Sequence, residues 1–183
     1  MRRLRLESLI LPTIALLVLA SDQVSKALVV AHLALGQSVD LASWLAPVFS
    51  ITYTANTGAS FGLFQGMSDV LAVVAVVVVV IIILYYRQIP PGQWPLRAVL
   101  GLQLGGALGN LTDRLTRGAV VDFIDANFWP LRDWPIFNLA DAAIVAGVAL
   151  LGWMMMVERR GTTRISTGCT EGSSSSSSVQ DAE

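Results

Sequence analysis

The sequence predicts an all-α integral membrane protein, a bundle of four transmembrane helices with a small extracytoplasmic cap that contains β structure. Composition is the first observation: 54% of the 183 residues are hydrophobic and 14% are charged, against about a quarter charged in soluble domains. The second is the presence of four apolar stretches close to the ~20 residues needed to cross a bilayer core. The third is the distribution of Lys and Arg, which are absent from residues 36–68.

The four predicted spans cover about residues 9–35, 70–86, 96–115 and 139–157. The second carries no charge and ends in two tyrosines, as a helix that reaches the membrane interface does. Its valines and isoleucines also suit a strand, but an apolar run of this length favours a helix in lipid.

The N-terminal arginines, the short apolar run after them and the small residues Ala20 and Ser21 also fit a cleavable signal peptide. The apolar sequence that resumes from Ala27 to Leu35 favours an uncleaved helix.

Eight of the eleven arginines flank the spans on one side of the predicted membrane. They are Arg2, Arg3, Arg5, Arg87, Arg97, Arg159, Arg160 and Arg164. Because basic residues concentrate on the cytoplasmic side, both termini are predicted to be cytoplasmic and the loops 36–69 and 116–138 to lie outside. We expect a membrane domain over residues 1–160 and a disordered, serine-rich cytoplasmic tail over residues 161–183.

The first outer loop contains two predicted local structures. Residues 49–54 alternate between apolar and polar side chains, which is typical of a half-buried strand. Residues 61–67 include Phe61, Leu63, Phe64 and Met67, and we expect an amphipathic turn or helix on the membrane surface there.

Composition also excludes several classes of chemistry. Cys169 and His32 are the only cysteine and histidine, which argues against a disulfide framework, a histidine-based zinc site and a Ser-His-Asp triad. The charges are not pooled into one basic face, so we expect no nucleic-acid partner. We further expect no cofactor and no metal, with any reaction carried by carboxylates, amides and arginines.

Ionisable residues within the spans need an explanation, since each costs about 2.5–3.5 kcal/mol on insertion scales. Asp22 and Lys26 lie four residues apart and therefore on one face of span one. This pair is either functional or simply self-neutralising. Gly101, Gly105 and Gly109 form a stripe on span three that allows another helix to approach closely, and packing is the favoured interpretation.

Polar residues gather at the outer end of span three. Asn110 lies one turn from both Asp113 and Arg114, so these three side chains crowd together. An Asp-Arg pair at this level is also a simple anchor for the end of the helix. By themselves these residues do not indicate a function.

Two aspartates are predicted to lie at the same outer level. Asp122 follows span three, and Asn138 is a natural N-cap for span four, which places Asp141 in its first turn. Asp141 also fits a capping charge favoured by the helix dipole. Two partly desolvated carboxylates share one proton, so the pair provides a general base and a general acid. Spacing alone does not decide whether the two side chains meet. The alternatives to an enzyme that uses this acid–base pair are a proton-coupled transporter and a non-enzymatic assembly protein.

An ordered set of short motifs resembles the lipoprotein signal peptidase family, signal peptidase II, over about residues 8–157. The motifs are Asp-x-x-x-Lys at 22–26, Asn-x-Gly-Ala-Ser-Phe at 56–61, Gly-Asn-x-x-Asp-Arg at 109–114, Val-Val-Asp-Phe at 120–123 and Phe-Asn-x-Ala-Asp at 137–141. The resemblance implies an aspartic endopeptidase with Asp122 and Asp141 as its catalytic dyad. It also implies cleavage of prolipoproteins just before a diacylglyceryl-modified cysteine, in the bacterial inner membrane.

The remaining polar residues receive supporting roles in this interpretation. The residues expected to bind the substrate or to stabilise its oxyanion are Asn56, Gly58, Asn110, Arg114 and Asn138. Those expected to form structural ion pairs are Asp22, Lys26 and Asp113. The partners expected are lipid-modified prolipoproteins and membrane lipid, with the chain acting as a monomer.

Overall fold

The computed structural model describes residues 2–40, 42–44, 47–59, 63–129 and 134–168, which form four helices and three strands. In chain order they are α1 (Arg2–His32), β1 (Ser38–Val39), β2 (Phe49–Asn56), α2 (Ser68–Tyr86), α3 (Trp94–Arg117), β3 (Val120–Ala126) and α4 (Leu139–Gly168). The chain divides into two compact units, residues 1–148 and residues 149–183. Every residue of the candidate site belongs to the first unit.

Three of the helices in the described part of the chain are long and apolar enough to cross a membrane, one fewer than the sequence predicts. The three segments are Leu6–His32, Ser68–Tyr86 and Leu139–Val157. Helix α3 is more polar, but it packs against α1 and α2 and half of its residues are buried. A helix enclosed by protein has no need of an apolar surface all round, so its polar residues face its neighbours rather than lipid.

Two helix ends differ from the predicted spans. Helix α1 ends at His32 rather than near residue 35, because Gly36 adopts a left-handed φ of 82° and donates its N–H to Tyr53 O at 2.8 Å. Helix α4 continues past residue 157 to Gly168, since charged residues such as Glu158 are good helix formers and do not end a helix. The disordered tail over residues 161–183 stays a prediction, and residues 169–183 lie outside the described residues.

The glycine stripe of α3 packs against α1. A Cβ at Gly105 would lie 2.7 Å from Ala15 O, and one at Gly109 would lie 2.5 Å from the Asp22 carboxylate. Gly101 faces α1 in the same way. Larger residues would push the helices apart, so the stripe has the packing role that the sequence favoured.

The three strands form one antiparallel sheet in the order β1-β2-β3. The predicted strand at 49–54 is present and runs two residues further, to Asn56. In the β2–β3 register, Thr54 pairs with Asp122 and Asn56 pairs with Val120. The sheet therefore brings the first outer loop directly beside the sequence that carries Asp122.

Strand β3 packs on the end of α1 and was not predicted. Its buried residues Val121 and Phe123 cluster with Val29. The first four residues of β3 are all buried, so the sequence there lacks the alternation that identifies a half-exposed strand.

After β2, residues 63–66 form turns with Leu63 and Phe64 exposed. This agrees with the turn predicted there, and Phe61 lies outside the described residues.

Candidate active site

Asn138 joins the two predicted catalytic carboxylates. Its Oδ1 accepts the backbone N–H of Asp141 at 2.9 Å, so Asn138 is the N-cap of α4 as predicted. Its Nδ2 donates to Asp122 Oδ1 at 2.6 Å. One fully buried side chain therefore sets the position of β3 relative to the first turn of α4.

Asn110 makes the second connection, from α3. Its Nδ2 donates to Asp141 Oδ1 at 2.7 Å. Its Oδ1 accepts hydrogen bonds from Asn138 Nδ2 at 3.2 Å and from Lys26 Nζ at 3.1 Å. Because two donors meet this oxygen, the amide is held in the orientation that directs its own donor to Asp141.

Asn56 approaches Asp122 from the sheet. Its Nδ2 donates to Asp122 Oδ2 at 3.0 Å, and its Oδ1 accepts the backbone N–H of Gly58 at 2.9 Å. A Cβ at Gly58 would collide with Leu63 O, so the turn that holds Asn56 requires glycine at this position.

The three asparagines therefore hold carboxylates rather than presenting free donors. Each of them donates to Asp122, to Asp141 or to another asparagine. Their expected contacts with a substrate stay a prediction. Their observed contacts orient the two carboxylates and stabilise the charged form of each.

Arg114 contacts two backbone carbonyls beside the carboxylates. Its Nη2 donates to Gly58 O at 3.3 Å and its Nη1 to Asn110 O at 3.5 Å. Its Nε is buried and has no hydrogen-bond partner among the described residues. The Asp-Arg anchor that the sequence allowed at this level is not formed by Arg114, because Asp113 pairs with Lys26 and Arg117 instead.

A buried ion network lies behind the site. Lys26 Nζ is 2.8 Å from Asp22 Oδ2 and 2.9 Å from Asp113 Oδ2, and all three side chains are 0% exposed. Asp22 Oδ1 accepts the backbone N–H of Ala140 at 3.0 Å, and Asp113 Oδ2 accepts that of Val121 at 3.1 Å. The network thus links α1, α3, β3 and α4 immediately next to Asp122 and Asp141.

Gln23 also belongs to this network and was not predicted from the sequence. Its Nε2 donates to Asp22, to the carbonyl of Gly109 and to Asp113. The available signal was an uncharged polar side chain next to Asp22 in an apolar span. A residue of this kind is expected to donate hydrogen bonds to the carboxylate oxygens that a single lysine does not reach.

Replacement of Lys26 should destabilise the fold strongly. Lys26→Met leaves two buried carboxylates with one cation fewer, and the loss of one partner of a buried ion pair costs about 3–5 kcal/mol. We expect a large fall in thermal stability, measured on the purified protein in detergent. Adding Asp22→Asn should restore part of the loss. Arg117→Met is the matched control, since it removes the half-exposed cation on Asp113 and should cost less. Equal stability of Lys26→Met and the wild-type protein would contradict the structural role.

Asp141 lines a cavity of about 400 Å³. The polar residues at one end are Asn56, Asn110, Arg114 and Asp141, whereas most of the remaining lining is aliphatic. Asp122 is 2% exposed and lies behind Asn56, which is itself part of the lining. The cavity therefore combines a long apolar surface with one polar end, as a site for a largely apolar ligand does.

Burial is the main influence on the acidity of Asp122. Burial and the neighbouring Asp141 charge raise the pKa of Asp122 to about 7, although hydrogen bonds from Asn56 and Asn138 and the charge of Lys26 oppose the shift. Below pH 7 Asp122 therefore retains its proton. A protonated carboxyl beside a second aspartate provides the acid of an acid–base pair.

The chain matches known proteins over most of its length. The family model described as signal peptidase (SPase) II matches residues 14–157. The lipoprotein signal peptidase of Moorella thermoacetica is 46% identical over 144 residues, which cover 79% of this chain and 91% of that protein. The lipoprotein signal peptidase of Desulfitobacterium hafniense is 43% identical with the same coverage.

A solved structure, a bacterial membrane enzyme determined by the in meso method, also matches. It superimposes with a TM-score of 0.72 and 26% sequence identity and covers 93% of each chain. These matches favour a peptidase over the transporter and the assembly protein that the sequence left open. The chain is an integral membrane protein, and it belongs to the signal peptidase II family of proteases.

Proposed function

We propose that this protein is an aspartic endopeptidase that removes the signal peptide from diacylglyceryl-modified prolipoproteins, with Asp122 and Asp141 as its catalytic residues. Its product is a lipoprotein whose new N-terminus is the lipidated cysteine. The observation that carries the proposal is the pair of carboxylates linked through Asn138 and Asn110 at the polar end of an apolar cavity.

The two aspartates have different tasks in the proposed reaction. Asp141, which lines the cavity, is the charged base and takes a proton from a water molecule. The resulting hydroxyl attacks the scissile carbonyl carbon. Asp122, protonated below pH 7, gives its proton to the carbonyl oxygen as the tetrahedral intermediate forms. Its Oδ2 is the atom that Asn56 contacts, so exchange of that amide for the substrate carbonyl brings the acid to the reacting group.

Collapse of the intermediate returns both groups to their starting states. A hydroxyl of the intermediate gives its proton back to Asp122. Asp141 gives the proton that it took from water to the departing amine, and the carbon–nitrogen bond breaks. The products are the carboxyl end of the signal peptide and the amino group of the lipidated cysteine. The dyad thus supplies the acid, the base and the stabilisation of the oxyanion.

We further propose a placement in the membrane. Helix α3 is the fourth span, packed against α1 and α2, and the sheet forms a cap outside the bacterial inner membrane. Both termini are cytoplasmic, which follows from the positions of the arginines. The carboxylates then lie at the outer face, where the enzyme, as a monomer surrounded by lipid, meets lipid-anchored substrates.

The direct experiment uses the purified full-length protein and a synthetic prolipoprotein segment that carries the diacylglyceryl group. Release of the signal peptide, followed by mass spectrometry, is the expected result. The same segment without the lipid should be cleaved poorly. The proposal would be overturned if the lipidated segment were not cut, or were cut elsewhere than just before the lipidated cysteine.

The rate of cleavage should depend on pH with an upper limb near pH 7. The active enzyme has one proton on the dyad, and Asp122 loses it as pH rises through its pKa of about 7. Turnover should therefore fall above that pH. The Asn56 hydrogen bond stabilises charged Asp122, so Asn56→Ala should raise the pKa and move the limb to higher pH. A limb that stays in place or moves to lower pH in the variant contradicts the assignment of Asp122 as the acid.

Chelation should leave cleavage unchanged. Among the described residues, no group of three or more His, Cys, Asp and Glu side chains is arranged to hold a metal ion. Zinc sites in proteins prefer such ligands, and the proposed reaction activates water with a carboxylate. We expect the same rate before and after exhaustive dialysis against EDTA. Loss of activity that added zinc restores would contradict the mechanism.

A further inference from the structure

Gln103 is a polar side chain in the apolar part of the cavity. It lies on α3, seven residues before Asn110, which puts both on one helix face and places Gln103 about 10 Å further from the carboxylates. The aliphatic residues that line the cavity with it are Leu71, Val74, Ala75, Val78, Ile144 and Val148. Within the part of the chain that the structure describes, no hydrogen bond is made by the Gln103 amide.

The neighbouring helix leaves room for this glutamine. A Cβ at Gly147 would lie 2.8 Å from Gln103 Cγ and 3.3 Å from Val99 O. The stem of Gln103 therefore occupies space that α4 provides through a glycine. The Gln103 side chain is only partly buried, so its amide opens onto the cavity and is available to a polar atom of a bound ligand.

We propose that Gln103 is a specificity-determining residue whose amide donates a hydrogen bond to a carbonyl oxygen of the bound substrate. This inference rests on the proposed function. A signal-peptide segment is extended where it is cut, because a helical backbone has its carbonyls already bonded. Three extended residues span about 10 Å, so the peptide carbonyl near the third residue before the cut reaches Gln103. The ester carbonyls of the diacylglyceryl group offer the same chemistry from a second source.

The test compares the wild-type protein with Gln103→Met, which has the same length and no hydrogen-bonding amide. Three lipidated substrates are used: the diacyl peptide, the same peptide with a trans-alkene in place of the third amide before the cut, which removes that carbonyl, and the same peptide with a dialkyl ether lipid. On the first, kcat/KM should fall about five- to tenfold, the effect of one hydrogen bond, mainly through KM. Gln88→Met, at an exposed glutamine outside the cavity, is the matched control and should have no effect.

The two modified substrates identify the partner. If the peptide carbonyl is the partner, the difference between Gln103→Met and wild type should nearly vanish on the alkene-containing peptide, which lacks that carbonyl. If the lipid ester is the partner, it should vanish on the ether lipid. An equal difference on all three substrates, or no difference on any, overturns the inference. Gln103→Leu repeats the comparison if Gln103→Met is unstable. Failure of the wild-type protein to cut the first substrate would instead overturn the proposed function.

Discussion

Asp122→Asn and Asp141→Asn should each reduce signal-peptide release by at least about 10²–10⁴-fold, the usual contribution of a general acid or base. Asparagine has the shape of aspartate but does not titrate, so each variant lacks one of the two groups that move protons. The amide oxygen of each variant still accepts the hydrogen bond from Asn138 or Asn110, and Asp122→Asn loses only the one from Asn56. We therefore expect folded variants with near wild-type thermal stability. Initial cleavage rates of the purified variants check this prediction.

Two other aspartates supply matched controls. Asp125 lies on β3 three residues after Asp122 and accepts a hydrogen bond from Thr52 Oγ1 at 3.1 Å. Asp69 occupies the first turn of α2, as Asp141 does in α4. Asp125→Asn and Asp69→Asn should leave turnover nearly unchanged. Near-normal cleavage by either dyad variant, or an equal loss in its control, would contradict the assignment of the dyad.

The positions of the helices were largely predictable because they depend on composition summed over long segments. The run that became α2 is apolar throughout, and its predicted bounds differ from Ser68–Tyr86 by two residues at one end. Helix α3 was predicted as one of four long apolar stretches, although its surroundings allow it to be more polar than a lipid-facing helix. The ends were less predictable, since a single left-handed glycine stops α1 and nothing in the sequence stops α4 at residue 157.

The contacts between the residues of the site were less predictable than the identity of those residues. The sequence placed Asp122 and Asp141 at one level, but the link through Asn138 and Asn110 depends on how three elements meet. The pairing of Lys26 with Asp113 was missed for the same reason, because the partners lie on different helices and 87 positions apart in sequence. Spacing rules such as i,i+4 describe only neighbours on one helix. They therefore identified the pair of Asp22 and Lys26 but not the contact between Lys26 and Asp113.

Arg114→Lys should retain the positive charge and still lose most activity, about 10–100-fold. The planar guanidinium reaches the carbonyls of Gly58 and Asn110 together, which joins the turn after β2 to α3 at the polar end of the cavity. Lysine has a single nitrogen and does not reproduce this geometry. Loss of one or two hydrogen bonds to a charged group, at about 1.5–3 kcal/mol each, accounts for a reduction of that size.

The alternative role of Arg114 is an interfacial anchor, for which lysine is an adequate replacement. Cleavage rates of Arg114→Lys and Arg114→Ala, measured at equal enzyme concentration, distinguish the two roles. Arg117→Lys is the matched control, because Arg117 lies one turn further along α3 and contacts the carboxylate of Asp113, a partner that lysine also pairs with. If orientation matters, both Arg114 variants are slow and Arg117→Lys is nearly normal. A fast Arg114→Lys with a slow Arg114→Ala would show that charge alone is needed and would return Arg114 to the anchoring role.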